Sequence, residues 1–78
     1  METMTLLDVD NGTSVRIIRL EMDRSLQAKL LQLGLRPGMQ IRVVRSAPLD
    51  GPTLIEYRGR SVALGRVIAS KVWVEVPE

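Results

Sequence analysis

Turn residues divide this sequence into segments too short for anything but brief strands and a single helix. The residues that tight turns favour recur at Asn11-Gly12, Pro37-Gly38, Pro48–Pro52 and Arg58–Arg60. The segments between are rich in alternating apolar and β-branched residues, which predict five strands: Ser14–Leu20, Met39–Ala47, Thr53–Tyr57, Ser61–Leu64 and Lys71–Val76. Short strands joined by tight turns expose their edges unless the sheet closes, so a small barrel is the economical arrangement.

Two of these strands carry an informative pattern. Ile17 and Ile18 are adjacent and interrupt the alternation of the first strand, and either a β-bulge or burial on both faces would explain the pair. In the last strand, valine occupies every second position from Val72 to Val76, which predicts that this face points into the core. Trp73 is then expected to point away from the core, toward solvent or a partner.

Residues Arg24–Leu33 predict the one helix of any length, inserted after the first strand. Asp23 can cap its first turn. Its apolar stripe comprises Leu26, Leu30 and Leu33, widened by Leu31, and its polar side comprises Gln27, Lys29 and Gln32. A second, single helical turn is expected within Gly65–Ser70, where the strand period breaks down.

Gly34, Pro37 and Gly38 follow the helix and have a complete structural explanation. Gly34 stands where a helix end requires a positive φ, and Leu35 can then fold back on Leu30. Pro37 cannot continue a helix and favours a turn with Gly38. These three residues are therefore expected to serve chain geometry rather than ligand contact.

The composition limits what such a fold can do. A chain of 78 residues with 45% apolar residues is expected to form one domain over residues 1–78. Having no cysteine, it must be held by its core alone, which suits the cytosol, and no signal peptide or membrane-spanning run is evident. The predicted fold class is mainly β, a soluble barrel of about five strands with one helix.

Histidine is absent as well, and this narrows the function most. General acid–base catalysis and transition-metal sites usually recruit histidine or cysteine. The nine acidic residues are scattered, and the nearest pair, Asp8 and Asp10, suits the turn that follows them. We therefore expect neither an enzyme, nor a metal site, nor a bound cofactor.

Three segments together resemble a known family. They are "LQAKLLQLGLRPG", "VVRSAPLDGP" and "VALGRVIASKVWVEV", within a stretch of about residues 5 to 76. Their glycines, prolines and apolar positions resemble those of FeoA-type ferrous iron transport proteins, which implies an SH3-like barrel. The same fold forms the C-terminal domain of iron-dependent repressors, but the sequence predicts no helix-turn-helix before the barrel, so we expect the free-standing transport protein to be the better match.

The resemblance implies a cytoplasmic accessory protein that regulates FeoB, a membrane permease for Fe²⁺ with a cytoplasmic GTPase-like domain. It also implies recruitment to the inner face of the membrane by that permease. In one place the chain departs from the family, because Val67 and Ile68 stand where many members carry acidic residues. A carboxylate role at that turn therefore cannot be transferred to this chain.

Two places are candidates for partner binding. Trp73 is the first, with the alternative that the helix or the Pro48–Pro52 loop covers it in a second small core. The second is an apolar patch of Leu31 and Met22 edged by Arg24 and Lys29, with the alternative that all four helix leucines are buried. Self-association through such a surface stays open.

A different class of function, nucleic-acid binding, would instead use arginines on the polar strand faces. The candidates are Arg16, Arg42, Arg45, Arg58 and Arg60. The net charge is only +2, basic and acidic residues are interleaved, and Trp73 and Tyr57 are the only aromatic residues. The sequence therefore favours contact with a protein over binding of nucleic acid.

Overall fold

Strands dominate the fold, with a helix between the second and third of them. The computed structural model describes residues 2–46, 49 and 51–77. In that part of the chain the elements are β1 (Thr3–Thr5), a 3₁₀ turn (Leu6–Asp8), β2 (Ser14–Leu20), α1 (Arg24–Gln32), β3 (Gln40–Ser46), β4 (Thr53–Tyr57), β5 (Arg60–Leu64), α2 (Arg66–Ala69) and β6 (Val72–Glu75). Neither helix has the length or apolar character that crossing a bilayer requires.

The strands form one antiparallel sheet in the order β1-β6-β2-β3-β4-β5. This mainly β architecture with one main helix confirms the predicted fold class. The sheet has one strand more than the five that the sequence patterns indicate, because Thr3–Thr5 pairs with β6, with Thr3 opposite Glu75 and Thr5 opposite Trp73. Three residues are too few to show an alternating pattern, so this strand is specified by its partner rather than by its own sequence.

A β-bulge resolves the adjacent isoleucines of β2. Ile17 pairs with Val74 and Arg19 pairs with Trp73, so Ile18 is the extra residue of β2 opposite β6. Ile17 is buried, whereas Ile18 is 37% exposed, so the bulge is confirmed and burial on both faces was wrong. Because of the bulge, Leu20 also points into the core and Arg19 stays outside it.

The core is made by the inward positions of the strands together with apolar residues from the connecting segments. The fully buried large side chains include Leu6, Val15, Ile17, Leu35, Val43, Ile55, Val72 and Val74. Leu30 of α1 and Ala69 of α2 join the same cluster, so both helices are packed on it through one face. In β6 the buried valines alternate with half-buried Trp73 and Glu75, as the sequence pattern predicts.

The ends of α1 follow the chemistry predicted for them. The Asp23 carboxylate accepts a hydrogen bond from the Leu26 N–H at 2.9 Å, which caps the first turn. At the other end Gly34 has a φ of +87°, and Leu35 N–H donates to the Leu30 carbonyl at 2.9 Å. This is the Schellman arrangement, and it returns Leu35 to the core.

One side chain of β4 and one of α1 itself fasten the helix further. The Tyr57 hydroxyl donates a hydrogen bond to the carbonyl of Leu33. The expectation that Gln27 faces away from the core was wrong, because its amide donates to the carbonyls of Leu20 at 3.2 Å and Met22 at 2.8 Å. Gln27 satisfies backbone acceptors where β2 ends, so this polar residue belongs on the inner side.

The Pro37-Gly38 turn leads directly into β3. Gly38 has a φ of +95°, and the Met39 N–H approaches the Arg36 carbonyl at 3.4 Å, the geometry of a type II turn. The Gly38 N–H also donates to the carbonyl of Ile17 at 2.7 Å. The structural role expected for this turn is therefore consistent with its contacts.

Two other predicted turns have different outcomes. The helical turn expected within Gly65–Ser70 is confirmed by α2. Of the turn predicted at Pro48–Pro52, Pro48 and Asp50 lie outside the described residues, as does Ala47, the expected end of the preceding strand.

Candidate functional site

Trp73 lies in the middle of the outer face of β6, between β1 and β2. Its cross-strand neighbours are Thr5 on one side and Arg19 on the other. The side chain is half-buried, whereas Val72 and Val74 on either side are buried. Trp73 therefore points away from the core but does not stand free in solvent.

Two charged residues hold the indole. Its Nε1–H donates a hydrogen bond to the Glu21 carboxylate at 2.6 Å. The guanidinium carbon of Arg19 lies 5.1 Å from the ring centroid, within the range of a cation–π contact. Arg19 and Glu21 also form an ion pair at 3.2 Å. We call these three residues, Arg19, Glu21 and Trp73, the Trp73 cluster.

The sequence suggested the Pro48–Pro52 loop or the helix as a cover for Trp73. The polar contacts of the indole come instead from Glu21 and Arg19. The sequence did not point to Arg19 and Glu21. Glu21 is 52 residues from Trp73 in the chain, and Arg19 comes opposite Trp73 only because β2 carries the bulge at Ile18. A bulge predicted at the adjacent isoleucines would have placed Arg19 opposite Trp73.

The second candidate surface lies on α1. Leu31 is 53% exposed, whereas Leu30 is buried and Leu26 and Leu33 are half-buried. The alternative that all four leucines are buried was therefore wrong. Of the four leucines of this stripe, Leu31 is the one exposed enough to contact another surface.

The residues expected around Leu31 are only partly as predicted. Arg24 and Lys29 are exposed at positions where they can edge the patch. Met22 was expected to remain exposed, but it is half-buried and packed against the core. In the described part of the chain, no hydrogen bond, ion pair or ring contact joins Trp73 to α1, so the structure shows two candidate places rather than one continuous site.

The arginines of the nucleic-acid alternative are largely occupied by neighbours. Arg16 forms an ion pair with Glu75 across β2 and β6, and Arg42 pairs with Glu56 across β3 and β4 at 3.3 Å. The Arg60 guanidinium lies 5.9 Å from the Tyr57 ring. Paired acids cancel the field that phosphate binding requires, so the outer sheet face does not form a basic stripe.

Arg45 and Arg58 are placed differently from these three. Arg45 follows a register shift in β3 at Val44, and Arg58 has a φ of +50° in the turn between β4 and β5. Both are exposed. Each lies at a separate irregularity of the sheet, one within β3 and one in the turn between β4 and β5.

Among the described residues, no three acidic side chains lie close enough together to hold one metal ion, and this includes the three that line the cavity described next. A shallow cavity of about 270 Å³ is lined by Glu2, Asp8, Asp10 and Thr13, with Met4, Val9 and Val76 as its apolar wall. Asp8 and Asp10 were expected only as turn residues. Asp10 does serve the turn, because its carbonyl accepts a hydrogen bond from the Thr13 N–H at 3.2 Å.

Comparison with known proteins assigns the family. The family model of the FeoA domain matches residues 4–76. The chain belongs to the FeoA domain family. The family is a non-enzymatic kind of protein that is involved in Fe²⁺ transport, and its SH3-like fold is the one found here.

Individual relatives agree with this family. A protein of Methanocaldococcus jannaschii named for Fe(2+) transport protein A is 28% identical over 67 residues, which cover 86% of this chain and 79% of the relative. A crystal structure of an iron uptake regulatory protein, FeoA, aligns with a TM-score of 0.82 and 28% identity, covering 95% of this chain and 96% of that one.

The fold extends beyond FeoA proteins. A manganese-dependent transcriptional repressor aligns with a TM-score of 0.87 at 18% identity, over 96% of this chain but only 42% of the repressor. At that identity the likeness shows the fold alone. It agrees with the resemblance between FeoA-type proteins and one domain of metal-dependent repressors.

Proposed function

We propose that this FeoA-family chain is a cytoplasmic accessory protein that regulates a FeoB-type ferrous iron permease by protein–protein contact. The contact would be made with the permease's cytoplasmic GTPase-like domain, which would bring the protein to the inner face of the membrane. The chain itself would have no catalytic activity and would need no cofactor. Membership of the Fe²⁺ transport family supports the process, and the surface of the protein supports the mode of action.

The observation that carries this proposal is that Leu31 and Trp73, the apolar side chains of the two candidate places, lie outside the core; in the described part of the chain Ile18, Leu49 and Val67 are exposed as well. Leu31 is 53% exposed on α1, and Trp73 is half-buried on the outer face of β6. Tryptophan is enriched among the residues that dominate binding energy, and an exposed leucine on a small domain favours association. The charged residues beside them, Arg19 and Glu21 at Trp73 and Arg24 and Lys29 near Leu31, provide the polar rim that such interfaces have.

The experiment is a binding series between folded variants and the cytoplasmic domain of the permease, with and without a GTP analogue. Trp73→Ala and Leu31→Ser are each expected to weaken association by about 1–3 kcal/mol, the usual range for an interface anchor. Arg58→Ala is the control, because Arg58 is exposed in a turn and belongs to neither place. It is expected to change affinity far less, since charges at a rim mainly alter the association rate.

Circular dichroism of each variant separates loss of binding from loss of folding. Unfolding of both the Trp73 and Leu31 variants would show that these residues are needed for the core, and the binding surface would have to lie elsewhere. Loss of binding confined to arginine variants would contradict the proposal. A steep fall of binding with salt would do the same, because it would indicate contact through several charges.

A further inference from the structure

We propose that Arg19 and Glu21 are positioning residues that fix Trp73 on the sheet so that it presents only apolar ring carbons to its partner. This inference rests on the proposed function, because it concerns the surface through which the permease would be bound. It assigns the partner group opposite Trp73 as an apolar side chain. The argument follows from what each atom of the indole already contacts.

The indole N–H is satisfied within the protein. It donates to the Glu21 carboxylate at 2.6 Å, a short, charge-assisted hydrogen bond. Glu21 is in turn held by its backbone, because its N–H donates to the Lys71 carbonyl at 2.8 Å and so continues the pairing of β2 with β6. The partner therefore need not supply an acceptor, and an acceptor offered by it would find no free N–H.

The cation of the cluster contacts both the ring and Glu21. The Arg19 guanidinium carbon lies 5.1 Å from the ring centroid, and its Nη2 is 3.2 Å from Glu21 Oε2. Both side chains are about 60% exposed, at 62% for Arg19 and 60% for Glu21, so they form a wet, charged border beside a ring that is half-buried. A border of this kind excludes water from an anchor without contributing much binding energy itself.

The fixed indole has an energetic consequence for binding. A side chain that is already immobilised loses little rotamer freedom when the partner arrives, whereas a freely rotating one must be ordered at that moment. A polar partner group placed against the ring would meet an indole N–H that already donates to Glu21. The surface left for contact is hydrocarbon, so an aliphatic side chain of the permease domain is the occupant that fits.

The test uses the fact that the chain has one tryptophan. Its fluorescence and its single indole N–H resonance therefore report on Trp73 alone. Glu21→Ala removes the acceptor, and Glu21→Gln keeps an acceptor without the charge. Glu56→Ala is the matched control, since Glu56 also pairs with an arginine on the outer sheet face, at 3.3 Å, with no contact to Trp73.

In Glu21→Ala we expect the indole N–H resonance to shift and acrylamide quenching of the tryptophan fluorescence to rise. Permease binding should weaken by about fivefold, because one exposed polar contact is lost and the Trp73 side chain must be ordered on binding. Glu21→Gln should restore most of the binding and the quenching, and Glu56→Ala should change none of the three. An unshifted resonance in Glu21→Ala would overturn the inference.

Two further outcomes separate this inference from the proposed function. If Glu21→Ala frees the indole but binds as well as the unmodified protein, while Trp73→Ala still binds weakly, positioning is refuted and the proposed surface stands. If Trp73→Ala binds normally, Trp73 is not the anchor and both ideas about this surface are wrong. If no variant, including the unmodified protein, binds the permease domain, the proposed function fails, whereas the resonance and quenching still decide whether Glu21 holds the ring.

Discussion

Replacing Gly34 by alanine tests whether the end of α1 requires a residue that adopts a positive φ. Gly34 has a φ of +87°, which an L-amino acid with a Cβ rarely adopts. A Cβ built at this position would lie 3.7 Å from Cε2 of Tyr57, an ordinary contact distance. The substitution therefore introduces backbone strain rather than a steric clash, and the strain can be compared with known magnitudes.

The left-handed conformation costs an L-residue about 1–2 kcal/mol. Alanine also restricts the unfolded chain and returns about 0.4–1 kcal/mol. The net loss of unfolding free energy for Gly34→Ala is then about 1 kcal/mol, which for a domain of this size lowers Tm by about 4–8 °C. Gly34→Asn should lose less, because asparagine tolerates this conformation better than alanine.

The measurement is urea and thermal unfolding followed by circular dichroism. Gly65→Ala is the matched control, because Gly65 has a φ of −59° and an added Cβ would meet nothing within 4 Å. That variant should be destabilised less than Gly34→Ala, because it keeps an ordinary φ and loses only the preference for glycine over alanine at the N-cap of the short helix α2. If Gly34→Ala were as stable as Gly65→Ala, or if it lost partner binding at unchanged stability, the assignment of Gly34 to chain geometry would be refuted.

Three other predictions concern the cap of α1, the Tyr57 hydroxyl and the binding of Fe²⁺. Asp23→Ala should lower the unfolding free energy by about 1 kcal/mol in urea melts, and Asp23→Asn by much less, because asparagine can still cap the helix. Tyr57→Phe removes the hydrogen bond to the Leu33 carbonyl and should cost about 1 kcal/mol in the same assay, and an unchanged midpoint would contradict this role. Calorimetric titration with Fe²⁺ should show no stoichiometric submicromolar site, since histidine and cysteine are absent.

The parts of the fold that could be predicted from the sequence are those in which neighbouring residues specify the structure. Asp23 and Gly34 mark the two ends of α1 because capping depends on atoms within one turn. The register shift at Ile18 could be suspected from two adjacent apolar residues, but choosing between a bulge and two-sided burial required knowing what lies on the outer face. The short strand Thr3–Thr5 could not be predicted, because its formation depends on β6.

The candidate site was less predictable for the same reason. Alternation placed Trp73 outside the core, and this needed only its neighbours in the chain. Its hydrogen bond to Glu21 joins residues 52 positions apart, so it depends on strand order and register together. Gln27 was misplaced because its side chain serves backbone carbonyls at the end of β2, a requirement that a pattern of polar and apolar residues does not display.

The arrangement of charges on the outer sheet face has a consequence for how a partner is found. Arg16 lies opposite Glu75, and Arg42 lies opposite Glu56, so neighbouring strands present opposite signs within one ion-pair distance. Fields from such pairs largely cancel beyond a Debye length of about 8–10 Å, and a partner is not steered from afar. Association would then depend on collisions that bring apolar surfaces into register, with rates in the range of about 10⁵–10⁶ M⁻¹s⁻¹ that unsteered complexes show.

The same pairing of charges limits nonspecific binding to nucleic acid in spite of the net charge of +2. The specificity of this surface would therefore come from the shape and rigidity of the apolar groups that stand among the pairs, which is the property that Arg19 and Glu21 give to Trp73.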